Sequence, residues 1–320
     1  MSNIVDKIVE KDGYICFDVQ PNTTYNWMIH ERPWWLQKAK KTLGEDWYWH
    51  NADPIEYKFC SRGWRNNHEL EEVSANKEWY LMDLECMSTG PGVDQNEIVP
   101  SVFEKITGKP VYSFGTYGGR IEFINLNLLK LSQHWINPPS GFISWMSMND
   151  VGVSANQGGR IKDLDFVGAA ITPNDPLYKM WKVYNASGIA RWQHIVHFKT
   201  QFELCKVLDI PLVHVVIMPE ECINNSHITN DLPPTTLICH DTSVGRNMVI
   251  NDNMTWEEKL DYHIKTFVDP VRNTKPQEGV SLKELGRDLL HPSANNHKEL
   301  AEKIAQTFDL DYEQFGPIDH

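Results

Sequence analysis

The segment Trp79-Tyr80-Leu81-Met82-Asp83-Leu84 decides the predicted fold, because it has the length and apolar character of a buried strand. An amphipathic segment follows at about 96 to 107, where apolar residues recur with helical spacing. Asn96 is its expected N-terminal cap, and Gly108 is its expected end. The next apolar run, Val111-Tyr112-Ser113-Phe114, predicts a second strand. A helix between two strands is typical of neighbouring parallel strands.

The same alternation of strands and helices continues along the chain. A helix is predicted to end at about 134, a strand to occupy 141 to 146, and a longer helix to occupy 187 to 208. The run at 211 to 218 is apolar and β-branched without alternation, which favours a strand covered on both faces. We therefore predict an α/β fold, a three-layer αβα sandwich with a central parallel sheet.

The predicted main domain covers residues 76 to 310, with insertions at about 147 to 186 and 219 to 254, and residues 311 to 320 form a C-terminal tail. Residues 1 to 75 contain half of the 12 tryptophans in the chain. These are Trp27, Trp34, Trp35, Trp47, Trp49 and Trp64. We expect this aromatic-rich N-terminal extension to pack on the main domain, because aromatic burial dominates such contacts. The alternative is a stacking wall for a sugar or a base.

The composition is that of a globular protein with an acidic surface. The chain has 320 residues, 41% of them hydrophobic, so it can bury a large core. Its formal net charge of -13 repels phosphate backbones and argues against general nucleic-acid binding. No window approaches the roughly 18 apolar residues of a spanning helix, so we expect no membrane segment and a cytoplasmic location. Six scattered cysteines without CxxC spacing favour reduced thiols.

Two segments contain residue types that support nucleophilic catalysis. The first strand continues as Leu84-Glu85-Cys86-Met87-Ser88-Thr89-Gly90, which places a thiol just past the strand. Near the C-terminus, Asp288-Leu289-Leu290-His291-Pro292-Ser293 precedes an amphipathic helix. An acid that orients a histidine, and a histidine that acts as a base, are two members of a nucleophilic triad.

These segments resemble blocks of the SGNH/GDSL hydrolase family. Cys86 occupies the position of the family's nucleophilic serine. Ser88 matches the hydroxyl residue of that first block, and Gly90 matches its glycine. In the second block, the family glycine is matched by Gly115. The asparagine of the third block is matched by Asn149, which follows the predicted strand at 141 to 146.

The resemblance implies an SGNH-type fold with flavodoxin-like strand order, and it implies roles for five residues. The last family block, Asp-x-x-His-Pro, is matched by Asp288, His291 and the proline that follows. His291 would act as the general base, and Asp288 would orient it. The backbone N–H groups of Cys86 and Gly115 and the side chain of Asn149 would form the oxyanion hole. This chemistry requires no cofactor and no metal.

The chain also departs from the family pattern. Leu84 and Glu85 replace the Gly-Asp of the first block, Ser147 replaces a glycine of the third, and Cys86 replaces serine. A thiolate beside a histidine is a competent nucleophile, and its thioester can pass the acyl group to water or to another acceptor. We therefore predict a hydrolase or acyltransferase acting on an ester, thioester or amide acyl group of a small molecule or glycan. The alternatives are a catalytically silent binding or structural protein with a protein partner, and a carbohydrate-binding or carbohydrate-modifying protein.

Each matched residue also has an interpretation without catalysis. Cys86 could be a small apolar residue buried at a strand end. Asn149 could belong to an ordinary turn after a strand. Asp288 and His291 could be an ion pair before a helix that Ser293 caps.

Other residues offer weaker indications of a ligand site. His194 and His197 lie three apart on a predicted helix, but the local sequence offers no third ligand, so no metal site is predicted. The segment 57 to 65 is predicted as a strand and a turn, in which Arg62 or Arg65 could contact an anionic substrate.

Overall fold

The computed structural model describes residues 4–5, 7–28, 55–116, 121–145, 154–157, 160–163, 189–216, 236–238 and 293–311. Its strands are β1 (Ile4–Val5), β2 (Ile8–Lys11), β3 (Tyr14–Phe17), β4 (Thr24–Tyr25), β5 (Trp27–Met28), β6 (Tyr57–Lys58), β7 (Tyr80–Asp83), β8 (Val111–Ser113), β9 (Gly141–Trp145), β10 (Ser154–Gln157), β11 (Arg160–Asp163), β12 (Leu212–Val216) and β13 (Thr236–Ile238). Its helices are α1 (Leu70–Ser74), α2 (Cys86–Thr89), α3 (Val99–Thr107), α4 (Ile121–Leu131), α5 (Ile189–Val207) and α6 (Ala294–Asp311). None of the helices in these ranges has the length and apolar character needed to cross a bilayer.

Five of the strands form a central parallel sheet. Their order across the sheet is β13-β12-β9-β7-β8, and each neighbouring pair is parallel. Numbered along the chain within this sheet, the order is the flavodoxin-like 2-1-3-4-5. Helices α3, α4 and α5 lie between successive strands of the sheet in the sequence. The predicted α/β fold with a central parallel sheet is therefore confirmed.

Each face of the sheet has its own hydrophobic core, because successive side chains of a strand point to opposite faces. Leu81 and Phe142 lie in one core together with residues of α4 and α5. Met82 and Ile143 lie in the other core together with residues of α3 and α6. Because helical residues contribute to the core on each face, the strands need apolar side chains at nearly every position. This requirement explains the continuous apolar runs in the sequence.

The N-terminal segment packs on the first of these cores. The side-chain oxygen of Asn127 in α4 accepts the Ile15 N–H of β3 at 2.8 Å, and its amide donates to the Ile15 carbonyl at 2.9 Å. Trp64 is fully buried and donates from Nε1 to the same carbonyl at 3.1 Å. For Trp64, this burial favours packing over a stacking wall. The side chains of the other five N-terminal tryptophans lie outside the described residues.

The start of α3 differs from the prediction. The helix begins after Ile98, and Asn96 does not cap it. Pro100 lies in its first turn, where the missing N–H has no helical partner to lose. Asn96 is exposed in the preceding turn, and its carbonyl accepts the Lys105 ammonium at 2.7 Å. The predicted end is confirmed, because the C-cap is Gly108 with a φ of 69°.

Strands also occur in the two segments that were predicted as insertions. β10 and β11 pair as an antiparallel hairpin within 147 to 186. β13 lies within 219 to 254 and extends the parallel sheet beside β12. Residues 236–238 are therefore part of the central sheet. With three residues, β13 is shorter than the roughly four to eight residues from which a strand pattern can be read.

Candidate functional site

The five predicted site residues fall into two groups. Asn149, Asp288 and His291 lie outside the described residues, whereas Cys86 and Gly115 lie within them. Cys86 is the first residue of α2, just past the carboxyl end of β7, and Gly115 follows the carboxyl end of β8. Because β7 and β8 are parallel neighbours, these two ends lie at the same edge of the sheet. Ligands of open α/β sheets bind at this edge.

A strained turn connects β7 to Cys86. Glu85 has a φ of 47° and a ψ of -123°, a conformation that costs a residue with a side chain about 1–3 kcal/mol. Such strain persists only where neighbouring groups hold the backbone, and it is found most often at functional sites. The turn before Cys86 is therefore a candidate functional element.

Two side chains hold the backbone of this turn. The Glu85 N–H donates to Asp83 Oδ1 at 2.9 Å, and the Leu84 N–H donates to Ser88 Oγ at 2.7 Å. In the other direction, the N–H groups of Ser88 and Thr89 donate to the Glu85 carbonyl at 3.0 and 3.1 Å. The N–H and the carbonyl of the strained residue are thus both bonded.

Gly115 lies directly against the same turn. A Cβ atom added at Gly115 would come within 2.6 Å of Ser88 Cβ and 2.9 Å of the Glu85 carbonyl oxygen. A side chain at this position would therefore displace the turn or the end of β8. The structure thus brings together the Gly115 backbone and the turn that carries Cys86.

Cys86 has a free thiol that is only partly buried. The remaining cysteines in the described ranges, Cys16, Cys60 and Cys205, are buried. Burial raises the pKa of the Cys16 thiol to about 12, and it also raises the pKa of Cys60. These thiols stay protonated at neutral pH, and partial exposure distinguishes Cys86 from them. It also disfavours the interpretation of Cys86 as a fully buried structural residue.

The start of the C-terminal helix lies beside α2. His297 Nδ1 accepts the Val99 N–H at 3.1 Å, which docks α6 on the start of α3. A Cβ atom added at Gly90, the C-cap of α2, would lie 3.3 Å from His297 Cε1. Ser293 precedes the helix, and its N–H donates to Asn296 Oδ1 at 3.0 Å. The sequence did not reveal this role of His297, because the partner of its ring is a distant backbone group.

A row of buried polar side chains crosses the sheet near its carboxyl edge. Asp83, Ser144 and His214 are register neighbours on β7, β9 and β12, and all three are buried. His214 Nε2 is hydrogen-bonded to Gln201 Oε1 of α5 at 2.6 Å. The Ser144 hydroxyl finds no hydrogen-bond partner among the residues that the structure describes. β7 and β9 also flank the topological switch point, where sheets of this order bind ligands.

Asp83 is the titratable group of this row with a shifted pKa. Burial raises the pKa of Asp83 to about 7, while its bond from the Glu85 N–H acts in the opposite direction. A buried carboxyl with such a pKa at a sheet edge is a candidate functional group. Asp83 is not among the site residues predicted from the sequence. The signal was a single polar residue within an otherwise apolar strand, which Asp83, Ser144 and His214 all show.

Arg62 and Arg65 both bind other groups of the protein, which favours structural roles over contact with a substrate. Arg62 forms an ion pair with Glu71. Arg65 is buried, and its guanidinium donates four hydrogen bonds. The acceptors are the side chain of Gln95 and the carbonyl oxygens of Thr89, Gly90 and Val93. Arg65 therefore fixes the loop that follows α2.

Searches for metal clusters and for relatives gave no assignment. In the described part of the chain, no three His, Cys, Asp or Glu residues are grouped so that they could hold a metal ion. No protein-family model matches the sequence, and comparison with curated proteins gives no significant match. The function is therefore inferred from the residues of the site and their geometry.

Proposed function

We propose that this protein is an SGNH-like hydrolase or acyltransferase that moves an acyl group through Cys86. His291 is the general base, and Asp288 orients its imidazole. The backbone N–H groups of Cys86 and Gly115 and the side-chain amide of Asn149 bind the oxyanion. A three-layer SGNH-type sandwich is part of the same proposal.

The observation that carries the proposal is the close contact between Gly115 and the turn before Cys86. A Cβ atom at position 115 would lie 2.6 Å from Ser88 Cβ and 2.9 Å from the Glu85 carbonyl oxygen. The position therefore has room for glycine and for no larger residue. A thiol past one strand and a glycine past its parallel neighbour suit a nucleophile with an adjacent oxyanion donor. The resemblance to the SGNH family assigns these two roles to the same two positions.

The fold supports the proposal at a coarser level. The strand order 2-1-3-4-5 is the order that the family resemblance implies. Helices that contribute to a core on each face of the sheet also agree with a three-layer arrangement.

The position of α6 supports the pairing of Cys86 with His291. His291 precedes Ser293 by two residues, which is a reach of about 7 Å for an extended chain. Ser293 opens the helix whose His297 ring lies beside Gly90, at the end of the helix that Cys86 begins.

The chemistry that we propose has two half-reactions. Cys86 Sγ attacks the acyl carbonyl carbon while its proton passes to His291, and the carbonyl oxygen becomes an oxyanion. The tetrahedral species then collapses: the bond to the leaving group breaks, and His291 returns the proton to that group. Water or another acceptor attacks the resulting thioester, with His291 as base, and Cys86 is released. Hydrolysis and transfer differ only in this acceptor.

The proposal is tested with a thiol-directed electrophile that mimics an acyl group. We expect the Cys86 peptide to be labelled in the wild-type protein and Cys86→Ala to lose that label. His291→Ala should lower the labelling rate at pH 7 about tenfold or more, because an unassisted thiol with a pKa of about 8.5 is only a few per cent thiolate at this pH.

Two variants serve as matched controls. Cys205→Ala removes a buried thiol, and His134→Ala removes an exposed imidazole; both should keep the wild-type labelling rate. Equal labelling of the wild-type protein and His291→Ala at pH 7 would contradict an activated thiolate and favour a catalytically silent protein. Release of alcohol, thiol or amine from model substrates then identifies the bond that is cleaved.

A further inference from the structure

We propose that Asp83 is a positioning residue that holds Glu85 in its strained conformation and thereby fixes the direction in which Cys86 is presented. The inference rests on the proposed function in one respect, because it treats Cys86 as the nucleophile. The positioning itself concerns the turn and can be measured without any catalysis.

In this turn, the Asp83 carboxylate is the hydrogen-bond acceptor in place of a backbone carbonyl. Asp83 Oδ1 accepts the N–H of the residue two positions ahead, at 2.9 Å. This is the Asx-turn arrangement, in which an aspartate closes a turn on its own backbone. The bond restrains the peptide that leads into Glu85, whose φ of 47° is unfavourable for a residue with a side chain.

Burial strengthens the restraint. Asp83 is 2% exposed, so water does not compete for its oxygen. A buried carboxyl is unfavourable unless it is hydrogen-bonded, and the bond to the Glu85 N–H provides this compensation. The same bond therefore stabilises the acid in its buried position and the strained residue in its turn.

The two ends of α2 show why the restraint is needed. Its C-cap is Gly90, with a φ of 51°, and glycine adopts this conformation without a steric penalty. Its N-cap is Glu85, with a φ of 47°, and this residue has a Cβ atom. The N-terminal end of α2 therefore needs side chains to hold its backbone. These are Asp83 from β7 and Ser88 from α2.

The test uses Asp83→Ala, the conservative Asp83→Asn, and Asp83→Ala combined with Glu85→Gly. Amide hydrogen exchange over residues 84 to 90 reports the turn, and labelling of Cys86 by the acyl-mimicking electrophile reports its presentation. Asp83→Ala should speed exchange and lower labelling about tenfold, as expected for one lost hydrogen bond to a charged group. Asp83→Asn keeps an oxygen acceptor and should stay within about threefold of wild type. Asp94→Ala, at an exposed acid, is the control and should change neither.

The double variant separates positioning from a general effect on the fold. Glycine at position 85 adopts a positive φ freely, so removal of the Asp83 carboxyl should matter about threefold or less in that background. If Asp83→Ala alone does not fold, recovery of a folded protein by the added glycine supports the same conclusion. Unchanged exchange in Asp83→Ala, or an equal effect of that substitution with Glu85 and with glycine, overturns the proposal.

The outcomes also distinguish this inference from the proposed function. If the electrophile does not label wild-type Cys86, acyl chemistry fails, yet hydrogen exchange in the same variants still decides whether Asp83 positions the turn. If labelling depends on His291 but exchange does not depend on Asp83, the proposed function stands and the positioning role is wrong.

Discussion

Arg65 and Asp83 are both buried charged residues, with 1% and 2% exposure, but the protein satisfies them very differently. Arg65 donates to four acceptors, and its guanidinium lies 4.2 Å from the centre of the Tyr57 ring. Asp83 accepts the Glu85 N–H, and no cation in the described ranges offsets its burial. Its register neighbour Ser144 also carries a hydroxyl without a described partner.

This difference distinguishes two parts of the molecule. The loop after α2 is held by Arg65 and stabilises the fold, whereas the turn before α2 contains a buried acid and a strained residue, which are typical of functional sites. A buried guanidinium that donates four hydrogen bonds stabilises one conformation of the loop after α2. A buried acid that is compensated by one backbone hydrogen bond remains costly, and natural proteins tolerate such groups mainly at functional sites. Arg65 contacts the C-terminal end of α2, whereas Asp83 holds the turn at its N-terminal end, where Cys86 lies.

The largest effect should come from Arg65→Met. This change leaves three loop carbonyl groups and the Gln95 side chain without their donor, and we expect a loss of about 3–5 kcal/mol in the free energy of unfolding. Urea denaturation measures it. Arg62→Met is the matched control: its ion pair with Glu71 is partly exposed, with 15% and 54% side-chain exposure, and should contribute less than about 1 kcal/mol. Equal losses would remove the contrast between the two regions.

A second prediction concerns the rigidity of the strained region. Gly115→Ala places a methyl group into contacts of 2.6 and 2.9 Å, and overpacking of this kind should cost about 2–3 kcal/mol and slow labelling of Cys86. The control is Gly108→Ala, where a Cβ meets nothing within 4 Å but the φ is +69°, so the cost should be about 1 kcal/mol. A milder effect at Gly115 than at Gly108 would show that the turn yields easily.

The third prediction is the pH dependence that Asp83 gives to stability. Its folded pKa of about 7 lies above the ordinary value of 3.8, so between these values the native state binds more protons than the unfolded state. Wild-type stability should therefore fall as pH rises from about 4 to 7. Asp83→Asn lacks this titration, and its stability relative to wild type should rise by about 3 kcal/mol over that window. Denaturation series at pH 4.5 and 8 measure the change. A pH-independent difference between the two proteins would mean that Asp83 is not the titrating group.

The smallest effect should come from the half-buried pair of His68 and Glu104, which belongs neither to the loop held by Arg65 nor to the turn held by Asp83. His68 Nε2 lies 3.0 Å from Glu104 Oε1, and this hydrogen bond raises the pKa of His68. Its stabilisation is present below the unfolded pKa of about 6.5 and is lost as pH rises through the folded pKa. His68→Gln should therefore lower the free energy of unfolding more at pH 5.5 than at pH 8.5, and the difference should be less than about 1 kcal/mol because both side chains are about one-third exposed. Urea denaturation at the two pH values measures it. An equal change at both pH values would contradict the ion pair.

The sequence predicted the elements that depend on the order of apolar and polar residues within one segment. β7 was expected at nearly its observed position, because a strand covered on both faces is a continuous apolar run. α5 was expected at nearly its observed position, because a segment of its length is typical of a helix and too long for a strand. The resemblance to the SGNH family implied that Cys86 and Gly115 share one site, and the structure brings the Gly115 backbone against the turn before Cys86. Asn149, Asp288 and His291 remain predictions.

What the sequence did not reveal depends on distant partners. The alignment of Asp83 with Ser144 requires the register of two strands that lie far apart in the chain. Arg65 donates to backbone carbonyl groups in a loop 24 to 28 positions further on. Because every residue has a carbonyl group, the residue types do not indicate these acceptors. The strain at Glu85 is a property of backbone angles, and glutamate is not a residue type from which a positive φ is expected.

The hydrogen bond from Val99 to His297 joins residues that are 198 positions apart. During synthesis, α4 and α5 leave the ribosome well before α6, so one side of the sheet can close while the other lacks its last helix. A nascent chain therefore carries an apolar surface until α6 has emerged. A premature stop just before position 293 would yield a substrate for chaperones and proteases, and not a slightly shortened native protein.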